Sequence, residues 1–472
     1  MIKFIPCRER VGPCASIPSG RRSVSAAGCR PRSRLRLRRN DAGAAFGPRP
    51  GGGAVCDPRL SGGGGQPSGP PRRAQGAAAG GDGGRTHGRA QARPGIGRKA
   101  GREAAGWLAQ TLLRRALGED GLRERLAAFW ADHFTALERG GPLRYAHVLY
   151  AEEAIRPHVA GRFSDMLRAA ATHPLMLRYL DQARSMGPNS EAASRRPGGG
   201  LNENLAREML ELHTLGVAGP YTQGDVRELA KLLTGLSYGL KGGFRFRPDW
   251  AEPGAETVLS VSYGGARARL GDILAALDDL ARHPATAAHV ARKLAVHFVS
   301  DSPDAGLVGA MTGRYLATDG DLAEVCGEML THPAARADAP GNVKQPMDFV
   351  GSALRALGIV PAHLPAGNAR KMRRLFDLPL TLMGQPRGQP AGPDGWSESD
   401  ADWITPQRLA ARVGWAMTAP FALRGVLPDP RDFAGTALGR MAPETVRFAA
   451  AAAETRPEGV GVVLASPAFQ RH

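Results

Sequence analysis

The amino-acid sequence predicts a mainly α-helical protein. It reads as a multi-helix globular body over residues 103–472 with one small β-hairpin, behind a disordered basic tail over residues 1–102. Three observations carry this. Apolar residues recur at helical spacing in most segments of the body. Residues 19–101 are dominated by Arg, Gly, Pro, Ala and Ser, and such a segment cannot bury enough apolar surface to offset its ordering entropy. Strand-like alternation of apolar and polar residues is confined to the neighbourhood of 244–263.

The stretch that organises the body is LNENLAREMLELHTLGVAGPYTQGDVRELAKLLTG, residues 201–235. Leu205, Met209 and Leu212 form an apolar stripe, with Asn204, Glu208 and Glu211 on a neighbouring one. Asn202 is placed to cap a helix over about 203–215, and Gly216 to stop it. Thr222 and Asp225 have capping-box spacing before a second helix whose buried face is Val226, Leu229, Ala230 and Leu233.

Upstream, Trp107, Leu108, Leu112 and Leu113 belong to one helix and Leu122, Leu126, Phe129, Trp130 and Phe134 to the next, split by LGEDG. His133 lies on the aromatic face of the second, where a hydrogen-bonded core histidine is expected. Helices follow over about 146–155 and 161–172. His173-Pro174, His283-Pro284, His332-Pro333 and Ser466-Pro467 each place a polar residue and a proline after an apolar run, the layout of a helix-to-helix joint. Residues 187–200 read as an exposed loop. Phe244–Arg247 and Thr257–Tyr263 read as the two strands of the hairpin. Residues 378–403 read as a Pro/Gly-rich loop anchored by Trp396 and Trp403.

Charge divides the chain in the same place. Residues 1–100 hold 20 of the 62 Lys and Arg and 4 of the 44 Asp and Glu, so the tail carries +16 and the body +2. A nucleic-acid-binding body is disfavoured, and the tail's arginines lack the interleaved aromatics of single-strand binders. Cys326 is the one cysteine of the body, and no CxxC pair exists, so neither an internal disulfide of the body nor thiolate-bound zinc is expected. No run of eighteen apolar residues marks a transmembrane segment. Arg21 and Arg22 are not followed by the apolar stretch of an export signal, so the sequence as it stands reads as cytoplasmic; a misassigned start would hide such a signal.

Candidate chemistry centres on the organising helices. His133, His158, Glu203, Arg207, Glu208, Glu211, His213 and Asp225 form the candidate polar cluster, in which Glu208, Glu211 and His213 are of the types that supply acids, bases and metal ligands. On an ideal helix Glu208 and His213 point about 140° apart, so a site needs His133 or His158 from other helices. The bland reading pairs Glu203 with Arg207 and Arg207 with Glu211 on a solvated face. His289, Lys293 and His297 form a stripe opposite Ala287, Val290, Ala291, Leu294 and Phe298. Its lysine opposes a metal and suits an anion, with Arg292 and Lys293 as the candidate anion-binding pair and a solvated basic face as the simpler expectation.

ENLAREMLELHTLGV followed by YTQGDVRELAKLLTG resembles the signature of the bacterial family called domain of unknown function 1800. FWADHF, EEAIRPHVAGRFSDML, HPLMLRYLDQARSMGPNS, FRFRPDWAEPGAETVL and HPATAAHVARKLAVHFV agree in order, as do the Gly-Gln-Pro and Pro-x-Gly-Trp elements of 378–403. The resemblance runs from about Trp107 to the C-terminus. AAFGPRPGG at 44–52 also resembles the family's N-terminal opening, but the amphipathic helix that should follow is replaced by glycine-rich sequence, as a shifted reading frame would produce. The resemblance implies an uncharacterised protein encoded beside exported sulfatase-like proteins. The expectation is a helical scaffold or interaction module working with such a partner in an extracytoplasmic setting. The alternative is a metal-dependent or acid/base enzyme with a His/Glu site at the 203–235 helix pair.

Overall fold

Helix formation begins at Pro94, ahead of Glu103, in a computed structural model that describes residues 94–471 other than 139, 141, 196–199, 240–242 and 337–340. The expectation of a disordered tail falls on residues 1–93, outside the described residues; residues 94–102 are the first turns of the helix Pro94–Leu117. Proline suits that opening, since its missing N–H has no intrahelical acceptor there. The protein is mainly α-helical, and its only strands among the described residues form two short two-stranded antiparallel sheets.

The helical body holds two apolar cores. The first is built from residues between Leu126 and Met329, around Trp130, Phe134, Phe163 and the organising helices. The second joins the Pro94–Leu117 helix to the C-terminal part of the chain, with Leu108 and Leu112 among Phe349, Phe376, Trp415, Phe433 and Phe469. The N-terminal helix thus leaves its sequence neighbours and packs against Pro346–Ala356.

Local signals set the boundaries. Asp120 accepts the Arg123 N–H at 3.0 Å and starts the helix Gly121–His133. Thr222 and Asp225 form the reciprocal capping box of Gln223–Leu232. At the joints, the Nδ1 atoms of His173, His283 and His332 accept the N–H two residues on, at 3.1, 3.1 and 3.3 Å. Each proline removes one of the orphan N–H groups of its helix start, and the histidine satisfies the next.

The strand region is two hairpins where the sequence suggested one. Phe244–Phe246 pairs with Leu236–Tyr238, which emerges straight from the second organising helix. Gly254–Val258 pairs with Val261–Gly265 across a turn in which Leu259 and Ser260 both have positive φ. Each strand takes its nearest neighbour in the chain, the arrangement with the smaller closure cost. The 378–403 loop also starts later than its composition implies: helix continues through Leu378–Leu382, with Pro379 in its first turn, and gives way to turns only near Gly384. No helix among the described residues is long and apolar enough to cross a membrane.

Candidate functional site

The first organising helix does not run as a regular α-helix to its end. Asn204–Glu208 is α-helical and Met209–His213 is a π turn, with Thr214 Oγ1 bonded to Met209 O at 2.6 Å. Met209 and His213, four positions apart, share one side of this turn, and both are buried. Gly216, at φ +85°, ends the run and leaves the carbonyls of Leu212 and His213 without helical partners.

Two histidines from other helices answer those carbonyls. His133 Nε2 donates to His213 O at 3.1 Å, and His289 Nε2 donates to Leu212 O at 3.0 Å. The His133 ring lies 6.1 Å from that of His213 and 6.2 Å from that of His289. Burial pulls all three imidazoles below the ordinary histidine range, with the charge of Lys293 adding to it, and His213 is brought down to about 3. They are neutral at pH 7. Their first task is structural, holding the end of the organising helix.

The titratable chemistry lies beside them. Lys293 follows His289 by one turn and precedes His297 by one turn on the helix Pro284–Phe298. Burial pulls its ammonium down, while Asp132, Glu398 and Asp394 pull it back up. Asp132, at the C-terminal end of Gly121–His133, accepts the Trp396 N–H at 3.1 and 3.0 Å through its two oxygens. Burial nevertheless pushes this carboxyl up to about 7, with Glu398 and Asp394 adding to the rise and Trp396 and Lys293 opposing it. His297 Nδ1 lies 2.8 and 2.9 Å from the Glu398 oxygens. The strap 392–399 therefore fastens across this cluster by Asp132–Trp396 and His297–Glu398. Trp403 secures it, buried and donating Nε1–H to Ser397 O at 3.0 Å.

A cavity of about 230 Å³ opens at the seam between the two cores, with Asp132, Thr135, His297 and Trp396 on one wall and Gln345, Asp348 and Arg387 on another. Its lining is more apolar than polar. A carboxyl that exchanges its proton near neutrality thus faces space for a small molecule.

The candidates from the sequence separate in space. His133 and His213 come together with Lys293. Glu208 sits half-buried at the margin, its carboxyl pushed up by burial and then by the charges of Glu211 and Asp394. Glu203, Arg207 and Glu211 face solvent as an ion-pair ladder, at 3.5 and 3.2 Å, and Asp225 is taken up by its capping box and by Leu259 N–H at 2.7 Å. His158 lies in the 3-10 turn Arg156–His158, with no side-chain hydrogen bond among the described residues. Arg292 is exposed and Lys293 half-buried, so the two do not converge on one anion. The stripe expected to be a solvated basic face is covered by the acidic strap instead. Asp132, Asp394 and Glu398 were not singled out from the sequence; the Pro-x-Gly-Trp element beside Asp394 was the available signal. Among the described residues, no group of three or more His, Cys, Asp or Glu side chains is arranged to hold a metal ion.

Gly395 gives this geometry a direct test. It has φ +84°, and a Cβ there meets Asp132 Oδ2 at 2.5 Å, Cγ at 2.7 Å and Oδ1 at 2.8 Å. Gly395→Ala is expected to displace the Asp132 carboxylate and cost about 1–3 kcal/mol, read by denaturant unfolding. A loss below about 0.5 kcal/mol would contradict the close approach.

Fold and site together define a mainly helical, two-core protein with a buried cluster of titratable side chains at the seam. The chain belongs to the family described as Protein of unknown function (DUF1800), whose model matches residues 64–471, a span that starts ahead of Trp107. No curated protein and no solved structure matches the chain.

Proposed function

We propose that the seam cavity is an acid–base site, with Asp132 as the proton-exchanging group and Lys293 as the cation that keeps part of its population ionised. The single observation behind this reading is the Asp132 carboxyl, raised to about 7 at the wall of a cavity. General acid–base work is most effective when the group's pKa lies near the working pH. His297, positioned by Glu398, is the second group on that wall. The ligand class is a small molecule with an apolar body and one exchangeable proton, such as a hydroxyl or carbonyl compound. On this reading the acid–base form of the enzyme alternative rests on Asp132, Lys293 and His297 and not on the 203–235 helix pair.

A carbon-detected NMR titration of the Asp132 carboxyl is expected to show a midpoint near 7, and Lys293→Met should move it higher by removing the favourable cation. A midpoint near 4 would sink the reading. Fragments that bind the cavity by ligand-observed NMR should lose about tenfold in affinity in Asp132→Asn, the equivalent of one charge-assisted hydrogen bond.

A second reading, a helical scaffold acting with a separately encoded sulfatase-like protein, is favoured by exposed apolar residues in the C-terminal part. Leu409 and Val413 stand one turn apart on Pro406–Arg424, with Phe421 56% exposed on the same helix, and Leu378 and Leu382 are exposed on the helix it contacts. Singly exposed apolar residues are ordinary, but several on touching helices suit a protein partner. Co-expression with that sulfatase-like protein should give a complex on size exclusion that Leu382→Lys with Phe421→Lys disrupts. Separate elution of the two wild-type proteins would remove the reading.

A further inference from the structure

We propose that a second cavity on the seam, separate from the acid–base cluster, is a binding site for an oxyanion group such as a phosphate. The cavity holds about 430 Å³ and is lined by four cations, Arg115, Arg125, Lys344 and Arg355. Two carboxylates share the lining, and both are engaged. Glu124 accepts from Arg156 at 2.7 and 3.0 Å, and Asp348 pairs with Arg115.

The acceptors met by two of the cations are neutral. Lys344 Nζ donates to Phe469 O at 2.7 Å, and Arg355 donates Nε–H to Arg115 O at 3.0 Å and its second nitrogen to Gly118 O. Carbonyls satisfy their hydrogen bonds and leave their charge in place. Behind Lys344 stands Arg412, fully buried, whose guanidinium also meets neutral groups, Gln470 Oε1 at 3.0 Å and Lys344 O at 2.7 Å. Lys344 accordingly loses protons early, brought down to about 8 by burial and then by the charges of Arg125 and Arg412. Beyond the pair that Arg115 makes with Asp348, the cavity thus places Lys344 and Arg355 together with neutral hydrogen-bond acceptors.

The first turn of the helix Gly121–His133 lines the cavity through Gly121 and Leu122, with the Asp120 carboxylate already capping it. Ser352 and Thr436 place hydroxyl donors on the same wall. The volume exceeds that of a bare inorganic ion, so the occupant is the phosphate or comparable oxyanion end of a larger molecule. The two seam cavities share Arg115, Glu124 and Asp348 as a common wall, but the oxyanion site does not rest on the acid–base reading.

The probe is inorganic phosphate, added to the full chain while its thermal midpoint is followed. A ligand that binds the folded state raises the midpoint in a saturable way. The expected result is a rise with phosphate that sodium chloride at equal ionic strength does not reproduce. Lys344→Gln keeps a hydrogen-bond donor and removes the charge; it should weaken the phosphate response about tenfold, and Arg370→Gln, outside the cavity, should leave it unchanged. Equal shifts from phosphate and chloride, or a Lys344→Gln response within about twofold of wild type, would overturn the proposal. Should Lys344→Gln fail to fold, Ser352→Asp decides, because it sets a carboxylate in the cavity while leaving Lys344 in place. Loss of the phosphate response in that variant supports the site, and its retention overturns it. The Asp132 titration is an independent reading in the same samples, so failure of one proposal is distinguishable from failure of the other.

Discussion

Arg412→Ala is expected to destabilise the protein by about 3–5 kcal/mol, a loss that urea unfolding at pH 7 resolves easily. The guanidinium is fully buried in the second core, where it bridges Gln470 and the Lys344 carbonyl and lies over the Phe349 ring at 5.4 Å. Truncation strands both oxygens and leaves a void the size of the side chain. Arg412→Met separates the causes. It refills most of the volume and removes a cation that burial has already brought down to about 10, so it should cost about 1–3 kcal/mol. Equal losses in the two variants would assign the whole effect to the stranded oxygens. A loss under about 1 kcal/mol in Arg412→Ala would mean that the guanidinium is not the bridge between these segments.

Acidification is the second large effect. His213 has its folded pKa lowered to about 3, below the ordinary unfolded value near 6.5. A histidine with a depressed folded pKa contributes stability that is present above the unfolded value. That stability is lost as pH falls toward the folded one, because the unfolded chain takes up the proton first. Between pH 7 and pH 4 the loss from His213 alone is about 3 kcal/mol. His133 and His289 shift in the same direction and add to it. Across that range the unfolding free energy of the wild type should fall by about 3 kcal/mol relative to that of His213→Gln. Parallel wild-type and variant curves would refute the buried neutral assignment.

Asp132 acts with the opposite sign. Its folded pKa of about 7 lies above the unfolded carboxylate value, so its contribution is full below about 4 and is lost as pH rises through 7. Between pH 5 and 8 the wild type should lose about 2–3 kcal/mol relative to Asp132→Asn. Between about pH 4 and 6.5 the two contributions have opposite slopes and nearly cancel, so each is read from its own variant. The raised Asp132 carboxyl is therefore held at the expense of folding free energy above pH 5.

What the sequence determined by itself was everything set within a few residues. The capping box at Thr222 and Asp225, the Asp120 helix start, the proline joints and the Glu203–Arg207–Glu211 ladder depend on offsets of two to four positions along one helix, and these are legible as letters. The buried face of the second organising helix follows from the same periodicity, whereas in the first Leu205 and Met209 are buried and Leu212 is only partly so. Tertiary structure decided what distant segments do to one another. His133, His213 and Lys293 are singly ordinary residues; they become a cluster because free carbonyls at the end of the first organising helix take donors from two other helices. Asp132 meets the Trp396 N–H from 264 positions away, and its burial, which raises the carboxyl, exists only in the folded chain. The pairing of the Pro94–Leu117 helix with the C-terminal core, which creates both seam cavities, is equally non-local. A pattern of spacing encodes which face of a helix is apolar, but burial, field and orphaned hydrogen-bonding groups exist only after the faces have met.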